Sequence, residues 1–303
     1  MCRKIFLHYS YGAECEKNNR GNSATWTAVK YSPPSFDRQA HTYEQRVGLP
    51  EQVCREVVGA VLAIAHVQPG DQIVEVGAGT GMIGKWFVQS PIRYLGFDLS
   101  QAMLDVFRQH LDSQPDNLTL LQADGNLRWP LTDSTTRVIF SSRTIHLLEL
   151  EHVVDESFRV ALPEGAALLS GRIERSRESV KVRMQQEMQR RLRERGFQGR
   201  QGNQKQRQLI ELCCQRGAKV INPVVVSRWT VASTPWQSLN NWRHKQGLSG
   251  IDLHNDIKQE ILNDLQLWAE ATFDGLHQQV ESEEAYVLQG VYLTPTDKID
   301  FGF

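Results

Sequence analysis

Residues 74–84 read Val-Glu-Val-Gly-Ala-Gly-Thr-Gly-Met-Ile-Gly, and this stretch decides the fold. It continues the apolar run 72–76, which predicts a buried strand that enters a glycine-rich turn. Glycine lets the backbone turn tightly and approach a ligand closely, because no side chain occupies the ligand's space. We therefore predict a ligand-binding loop made of Gly77, Ala78, Gly79 and Gly81.

The segments that follow this loop alternate between helical and extended patterns. Helical spacing predicts helices at 82–89, 100–111 and 152–161, and apolar runs predict strands at 94–97, 118–122, 137–141 and 167–170. Short strands without polar interruptions indicate a parallel sheet that is covered by helices on both faces. The fold class is therefore α/β, with a doubly wound, Rossmann-like sheet.

The pattern changes after Gly171. A long charged helix ends near Gly196, and the later segments predict a helix at 205–216, a strand at 220–230, an amphipathic helix at 257–276 and a strand at 285–293. We interpret about 172–250 as a helical lid inserted at the carboxyl edge of the sheet, where substrates enter α/β folds. Residues 1–30 lack a sustained period and are interpreted as a mobile or loosely docked arm, which leaves 31–303 as one domain.

Charge is unevenly distributed along the chain. The formal net charge is -1, which argues against a surface that binds nucleic acid throughout. Residues 172–208 nevertheless hold twelve Lys or Arg against four Glu, whereas 252–284 hold nine acids and one Lys. We favour mutual neutralisation of two solvated helix faces over an RNA-binding stripe.

The five cysteines have no metal-ligand spacing, and their odd number does not fit a disulfide framework. They favour a reducing cytoplasm, and we expect no metal site. No run approaches the roughly 18 apolar residues of a membrane helix. Residues 1–11 are too polar for a secretory signal, so we expect a soluble, unprocessed chain.

The spacing within the glycine loop narrows the choice of ligand. Met82 stands where a dinucleotide fingerprint would need its last glycine. Glu75 precedes the first glycine by two residues, and an acid there favours a ligand with an ammonium and a sulfonium over a pyrophosphate. The loop therefore favours S-adenosylmethionine over NAD.

Two further acids end the next two strands. Asp98 is placed to accept hydrogen bonds from ribose hydroxyls, and Asp124 is placed to meet the amine of an adenine. Leu99 and Met103 can sandwich the purine ring with soft apolar surface. Either acid alone is better explained as a helix cap or turn residue, but three acids at successive strand ends are hard to obtain by chance.

The runs VEVGAGTGMIG, GFDLSQAML, QADGNLRWPL and RVIFSSRTIHLL resemble the type 11, or UbiE-like, group of class I S-adenosylmethionine-dependent methyltransferases, over roughly 36–170. The resemblance implies a seven-stranded sheet whose last strand, 285–293, is antiparallel, and S-adenosylhomocysteine as the product. It also implies that residues 36–46 close over the cofactor, with Tyr43 near its methionine end. The predicted cofactor-binding set is Tyr43, Glu75, Gly77, Ala78, Gly79, Gly81, Asp98, Leu99, Met103, Asp124, Gly125 and Ser141.

Candidate substrate residues lie at the end of the fourth predicted strand. Methyl transfer is an in-line displacement, so the enzyme mainly positions the acceptor and excludes water. His146 is our candidate for a base or a substrate-orienting group, with a hydrogen-bonded turn histidine as the equal alternative. Arg143 can pair with a substrate anion or cap a carbonyl. Trp229, Trp236 and Trp242 can form an aromatic substrate wall or pack in the core.

These patterns predict an enzyme that methylates an oxygen, nitrogen or carbon atom of a small molecule. A second hypothesis is an RNA or protein methyltransferase that uses the basic segment 172–208, and a third is a cofactor-binding protein without catalysis. The fourth strand does not end in the Asn-Pro-Pro-Tyr type of tetrapeptide, which disfavours the second. The oligomeric state is not predicted.

Overall fold

A seven-stranded mixed sheet forms the centre of the unit Asp37–Phe303. The computed structural model describes residues 48–111, 113, 115–197, 204–245 and 247–294, together with 37, 40, 43, 44 and two short strands near the N-terminus. Those short strands, β1 (Ala13–Cys15) and β2 (Trp26–Ala28), pair antiparallel with each other within the unit Met1–Phe36. The rest of the predicted arm lies outside the described residues.

The sheet strands and the helices of the unit Asp37–Phe303 mostly alternate up to residue 194, with two consecutive strands between residues 118 and 142. The strands are β3 (Gln72–Val76), β4 (Arg93–Asp98), β5 (Leu118–Gln122), β6 (Val138–Ser142), β7 (Ala167–Arg175), β8 (Lys219–Ser233) and β9 (Val280–Tyr292). The described helices are α1 (Glu51–Ile64), α2 (Gly84–Phe87), α3 (Gln101–Gln109), α4 (Leu150–Val160), α5 (Val180–Glu194), α6 (Gln204–Gln215), α7 (Pro235–Arg243) and α8 (Asn255–Thr272).

The strand order is β5-β4-β3-β6-β7-β9-β8. The first five of these strands pair parallel, and β9 runs antiparallel to both of its neighbours, β7 and β8. This confirms the predicted doubly wound sheet with an antiparallel last strand. The carboxyl ends of the parallel strands therefore meet at one edge, which we call the carboxyl edge.

Helices bury both faces of the sheet because its strands carry apolar side chains on both sides. One core packs α1, α2 and α3 against the face that includes Ile73, Tyr94 and Phe140. The other core packs α4 and α6 against the face that includes Val74 and Ile139. Successive residues of β3 thus belong to different cores, as the two-residue period of a strand requires.

A third core lies apart from the sheet and consists of side chains from α5, α7 and α8, among them Met184, Leu239 and Leu265. We call these three helices the cap. The segments that connect them to the sheet leave from the ends of β7 and β8 and return into the start of β9. Because β8 runs parallel to β7 and β9 runs antiparallel to it, all three connections lie at the carboxyl edge.

The segment 172–250, which we expect to form a lid, contributes to two different layers. Its helices α5 and α7 belong to the cap, whereas α6 covers the sheet next to α4 and β8 is a strand of the sheet itself. The cap also includes α8, which lies beyond this segment. The cap is the structural unit that corresponds best to the predicted lid. The boundary of the lid and the division into domains stay predictions.

Ion pairs join the basic and acidic segments. Arg195 lies 2.8 Å from Glu260 and 2.9 Å from Asp264, so the C-terminal end of α5 is bound to α8. Arg191 lies 2.9 Å from Glu187 and 3.4 Å from the same Asp264. Part of the positive charge of 172–208 is therefore neutralised by acids of the cap.

Two helices differ from their sequence predictions. The helix expected at 82–89 is confined to α2, four residues long. Helix α7 was not predicted, although Thr234 and Gln237 form a capping box around Pro235, a pattern that marks a helix start.

Candidate functional site

The glycine loop leaves β3 at the centre of the carboxyl edge. Gly77, Gly79 and Gly81 have φ values of 76°, 56° and 75°, in the left-handed region that other residues rarely adopt. A Cβ atom on Gly81 would lie 2.1 Å from the Phe107 ring, whereas one on Gly79 would meet nothing within 4 Å. Gly81 is thus required for packing, and Gly79 borders open space from which a ligand can approach the backbone.

Asp98 ties this loop to the end of β4. Its carboxylate accepts the backbone N–H groups of Gly79 and Ser100, each at 2.9 Å. Burial raises the pKa of Asp98 above its usual range, and these backbone hydrogen bonds oppose part of that rise. A carboxylate has about four lone-pair sites, so Asp98 retains capacity for the ribose hydroxyls that the sequence predicts it to bind.

The predicted purine-binding residues line the neighbouring strand ends. Leu99 follows β4 and is 50% exposed, although leucine is apolar, whereas Met103 is buried in the first turn of α3. Asp124 follows β5 and accepts the backbone N–H of Asn126 at 2.9 Å. Gly125 is buried, and its carbonyl accepts the indole N–H of Trp129 at 3.1 Å.

Glu75 lies inside the protein. It is 3% exposed, and it accepts a hydrogen bond of 2.5 Å from the hydroxyl of Tyr94. Burial raises the pKa of Glu75 to about 8, the Tyr94 hydrogen bond lowers it, and the nearby Asp98 raises it further. Sequence reasoning missed Tyr94 as the partner of Glu75. Gly96, which lies opposite Glu75 in the strand register, has no side chain and so leaves room beside the carboxyl group, but the sequence does not show which residue bonds to it.

The end of β6 presents its hydroxyls to the sheet and its basic side chains to the edge. Ser141 is fully buried and donates to the carbonyl of Val76 at 3.0 Å, so in this conformation it supports the strand end and does not face the open space. Ser142 shares a 2.7 Å hydrogen bond with the hydroxyl of Tyr286, another residue that sequence reasoning missed. Ser141 therefore gains no support from the geometry as a cofactor ligand.

Arg143 follows with a φ of 61°, and its backbone N–H donates to the carbonyl of Gly171 at 3.3 Å. Its guanidinium lies 5.7 Å from the centre of the Tyr43 ring, and its Nη2 atom lies 4.0 Å from the sulfur of Met82. The side chain therefore extends toward the glycine loop, and the predicted residues Tyr43 and Arg143 come together.

The other two substrate candidates lie apart from each other. His146 is exposed on a short 3₁₀ turn, Ile145–Leu147, after β6. Trp229 lies on β8 and packs against the core beneath α1. Since β6 and β8 are separated by three strand spacings, or about 14 Å, the fold does not bring these two residues together.

Residues that precede α1 contact the loop region at three points. The hydroxyl of Ser100 donates to Asp37, and the hydroxyl of Thr80 donates to Glu44 at 2.6 Å. Tyr43 faces Arg143, as described above. The remaining residues of 36–46, apart from Ala40, lie outside the described part of the chain.

Within the described ranges, no group of three or more His, Cys, Asp or Glu side chains is arranged to hold a metal ion. None of the helices in those ranges is long and apolar enough to cross a membrane.

Comparison with known proteins points to one catalytic class. Residues 73–165 match the model of the family described as Methyltransferase domain. The chain is 31% identical over 151 residues to a malonyl-[acyl-carrier protein] O-methyltransferase of Serratia marcescens, an alignment that covers 49% of this chain and 55% of the relative. It is 28% identical over 159 residues to a demethylmenaquinone methyltransferase of Symbiobacterium thermophilum, covering 46% and 62%. The chain thus spans less than two-thirds of the length of either relative.

Among solved structures, a SAM dependent methyltransferase from Aquifex aeolicus superposes with a TM-score of 0.45 and 19% sequence identity. That superposition covers 61% of this chain and 92% of the other.

Proposed function

We propose that this chain, whose residues 73–165 are a methyltransferase domain, transfers a methyl group from S-adenosylmethionine to a small molecule and releases S-adenosylhomocysteine. The domain match covers the strands that carry the glycine loop, Asp98, Asp124 and Arg143. It does not reach the cap, so the acceptor is argued separately.

The observation that carries this proposal is the open side of Gly79 beside the carboxylate of Asp98. The loop offers a backbone surface that no Cβ obstructs, and Asp98 offers an acceptor one strand away. Leu99 adds exposed apolar surface for a purine at the same strand end. These groups fit the adenosine half of S-adenosylmethionine, and the partly buried carboxylate of Asp98 beside the loop disfavours a pyrophosphate there.

S-adenosylmethionine supplies an electrophilic methyl group when it is bound. The chain's own residues then position the acceptor, keep water out and accept a proton where the acceptor must lose one. We assign the last task to His146, because it is exposed on the turn that follows β6 and an imidazole can accept a proton. Arg143 follows the same strand, whereas Trp229 on β8 packs against the core and is kept only as a proposed substrate contact.

Calorimetry of the purified chain with S-adenosylmethionine tests this proposal. We expect binding by the wild type and a loss of about tenfold or more in Asp98→Ala, because that change removes a charge-assisted acceptor. Asp98→Asn should retain part of the affinity, since its side-chain oxygen can still accept the loop N–H. Binding of NAD in place of S-adenosylmethionine would overturn the assignment.

A small-molecule acceptor is supported by the ion pairs of the cap, because Arg191 and Arg195 are engaged by acids of the same chain. An RNA substrate would instead require these cations to contact phosphates, and its retention would fall steeply with salt. Incubation with methyl-labelled cofactor and a metabolite extract, followed by mass spectrometry, identifies the acceptor. Methylation that survives His146→Ala unchanged would rule out the histidine as a base, whose loss costs about 10²-fold or more in rate.

We also propose a reducing, cytoplasmic location. Cys54 and Cys213 are buried free thiols, and burial raises the pKa of each thiol, to about 11 and about 12. Such cysteines are inert core residues and do not form a disulfide framework.

A further inference from the structure

Arg143 occupies a backbone conformation that is costly for any residue with a Cβ atom. Arg143 directly follows the last residue of β6 and has a φ of 61°. The hydrogen bond from its N–H to the carbonyl of Gly171 holds this conformation. Strained residues of this kind persist where the surrounding structure imposes them, and they concentrate at functional sites. The turn directs the guanidinium away from β6 and toward the glycine loop.

The loop segment and the end of β6, both described by the structure, contain few basic residues. Residues 74–85 and 138–148 contain Lys85, Arg143 and His146. Lys85 is turned toward α1, where its ammonium lies 3.9 Å from Glu51 and 5.3 Å from the Trp86 ring. Arg143 instead reaches Met82, the residue that follows the last glycine of the loop. Within these two described ranges, Arg143 is therefore the permanent cation whose side chain extends toward the loop.

The strand order fixes which end of the proposed cofactor would meet this cation. Adenosine is assigned to Asp98 and Asp124, at the ends of β4 and β5, and the glycine loop follows β3 in the order β5-β4-β3-β6. A ligand held by its adenosine at β4 that crosses the loop must extend its other end toward β6, about 10 Å away at two strand spacings. In S-adenosylmethionine that end is an amino acid with a carboxylate.

We infer that Arg143 binds the α-carboxylate of the cofactor and not the methyl acceptor, an inference that rests on the proposed function. A guanidinium donates two parallel hydrogen bonds to a carboxylate, which fixes the orientation of the amino-acid end. Tyr43 is then a positioning residue, because its ring stands 5.7 Å from the guanidinium and favours the cation by its π face.

Two ligands that differ only in the amino-acid end test this inference by calorimetry. S-adenosylhomocysteine carries that end, and 5′-methylthioadenosine lacks it. In Arg143→Asn we expect S-adenosylhomocysteine to bind about 10- to 100-fold more weakly, whereas 5′-methylthioadenosine should bind within about twofold of wild type. Asparagine removes the cation but tolerates the left-handed conformation, so the β6 turn is retained.

Arg143→Lys and Arg55→Ala are the matched variants. Lysine keeps the charge without the paired hydrogen bonds and should lose less affinity for S-adenosylhomocysteine than asparagine does. Arg55 stacks at 4.2 Å on Trp86, away from the loop, and its removal should leave both affinities unchanged.

Equal weakening of both ligands in Arg143→Asn would show that the residue only supports the loop, and unchanged binding of both would show that it does not contact the cofactor. Either result overturns the inference while leaving the proposed function in place. Failure of the wild type to bind either ligand would overturn both.

Discussion

Glu75 and Glu284 are buried glutamates in two halves of the sheet: the glycine-loop half, β3–β6 with α1–α3, and the cap half, β7–β9 with the cap. Their surroundings differ. Glu75, in the glycine-loop half, has the neutral hydroxyl of Tyr94 as its hydrogen-bond donor. Glu284, in the cap half, lies 2.9 Å from Arg175 and 2.9 Å from Lys181. Burying a carboxylate is costly unless its charge is compensated, so these two acids represent different solutions.

This difference distinguishes a half of the sheet that is suited to bind a ligand from a half whose charges serve the structure. The cap half neutralises its acids with cations of the same chain, and Lys181 joins α5 to β9 by doing so. In the glycine-loop half burial raises the pKa of both Glu75 and Asp98, so Glu75 is compensated by the proton it holds, while Asp98 bonds to Gly79 beside the open side of that glycine. A ligand that donates hydrogen bonds to Asp98 can then stabilise its carboxylate.

The largest expected effect is on the pH dependence of stability. Because the pKa of Glu75 is raised to about 8, the folded chain holds a proton between about pH 5 and 8 that the unfolded chain has released. Stability from this group is therefore lost as the pH rises through that window and stays constant above it. Glu75→Gln should match wild type near pH 5 and exceed it by on the order of 4 kcal/mol at pH 9.

Urea denaturation at pH 5, 7 and 9 measures this effect. Tyr94→Phe is the companion variant, because losing the hydroxyl removes a contact that lowers the pKa of Glu75 and should extend the window upward. If the unfolding free energy of Glu75→Gln fell with pH as steeply as that of the wild type, Glu75 would not be the group that holds the proton.

Gly81→Ala and Gly79→Ala sharpen the comparison within the loop. Gly81→Ala adds a Cβ atom at a positive φ and against Phe107, and we expect it to cost about 3 kcal/mol of unfolding free energy. Gly79→Ala meets no neighbour and should cost about 1 kcal/mol. Calorimetry should nevertheless show that Gly79→Ala loses S-adenosylmethionine binding, since its methyl group enters the open space. Equal stability losses in the two variants would argue against this division of roles.

Glu284→Ala tests the cap half. It leaves Arg175 and Lys181 without their shared carboxylate, but their side chains are 34% and 41% exposed and regain water. We therefore expect a loss of about 2 kcal/mol, below the usual cost of stranding a buried charge. Cofactor affinity should stay at the wild-type level, and a matching drop in affinity would show that the two halves are coupled.

The smallest effect is expected for Arg195→Ala at the end of α5. Its partners Glu260 and Asp264 are 63% and 37% exposed, so we expect about 0.5 kcal/mol. At 1 M salt the Debye length falls to about 3 Å and the difference from wild type should vanish in thermal melts.

The glycine-loop half is the part that the sequence predicts best. The strands 72–76 and 118–122 end where they were expected to end, because each apolar run is bounded by turn residues. The positive φ values of Gly77, Gly79 and Gly81 also follow from their spacing, since few other residues tolerate them. Backbone requirements of this kind leave a direct trace in residue type.

Side-chain partnerships leave a weaker trace. That Glu75 bonds to Tyr94, and that Ser141 turns its hydroxyl toward Val76, depends on the strand register and on the faces of the sheet. The cap helices carry ordinary amphipathic patterns of apolar and charged residues, so the sequence does not show which helices share this core. Trp242 packs in the cap, whereas Trp236 is exposed and lies 5.6 Å from the His277 ring, so the expected aromatic wall is divided.

The position of β9 has a consequence for how the chain acquires its structure. This strand is synthesised after all the others, yet it pairs with β7 and β8 on its two sides, and β8 has no other partner in the sheet. During synthesis β8, which includes the apolar residues Val220 and Val224, therefore stays unpaired until residues 280–292 have been made. Contacts of such long sequence separation form slowly, and an unpaired apolar strand is prone to aggregate. Expression yield should thus depend on the β9 sequence more than on that of the early strands.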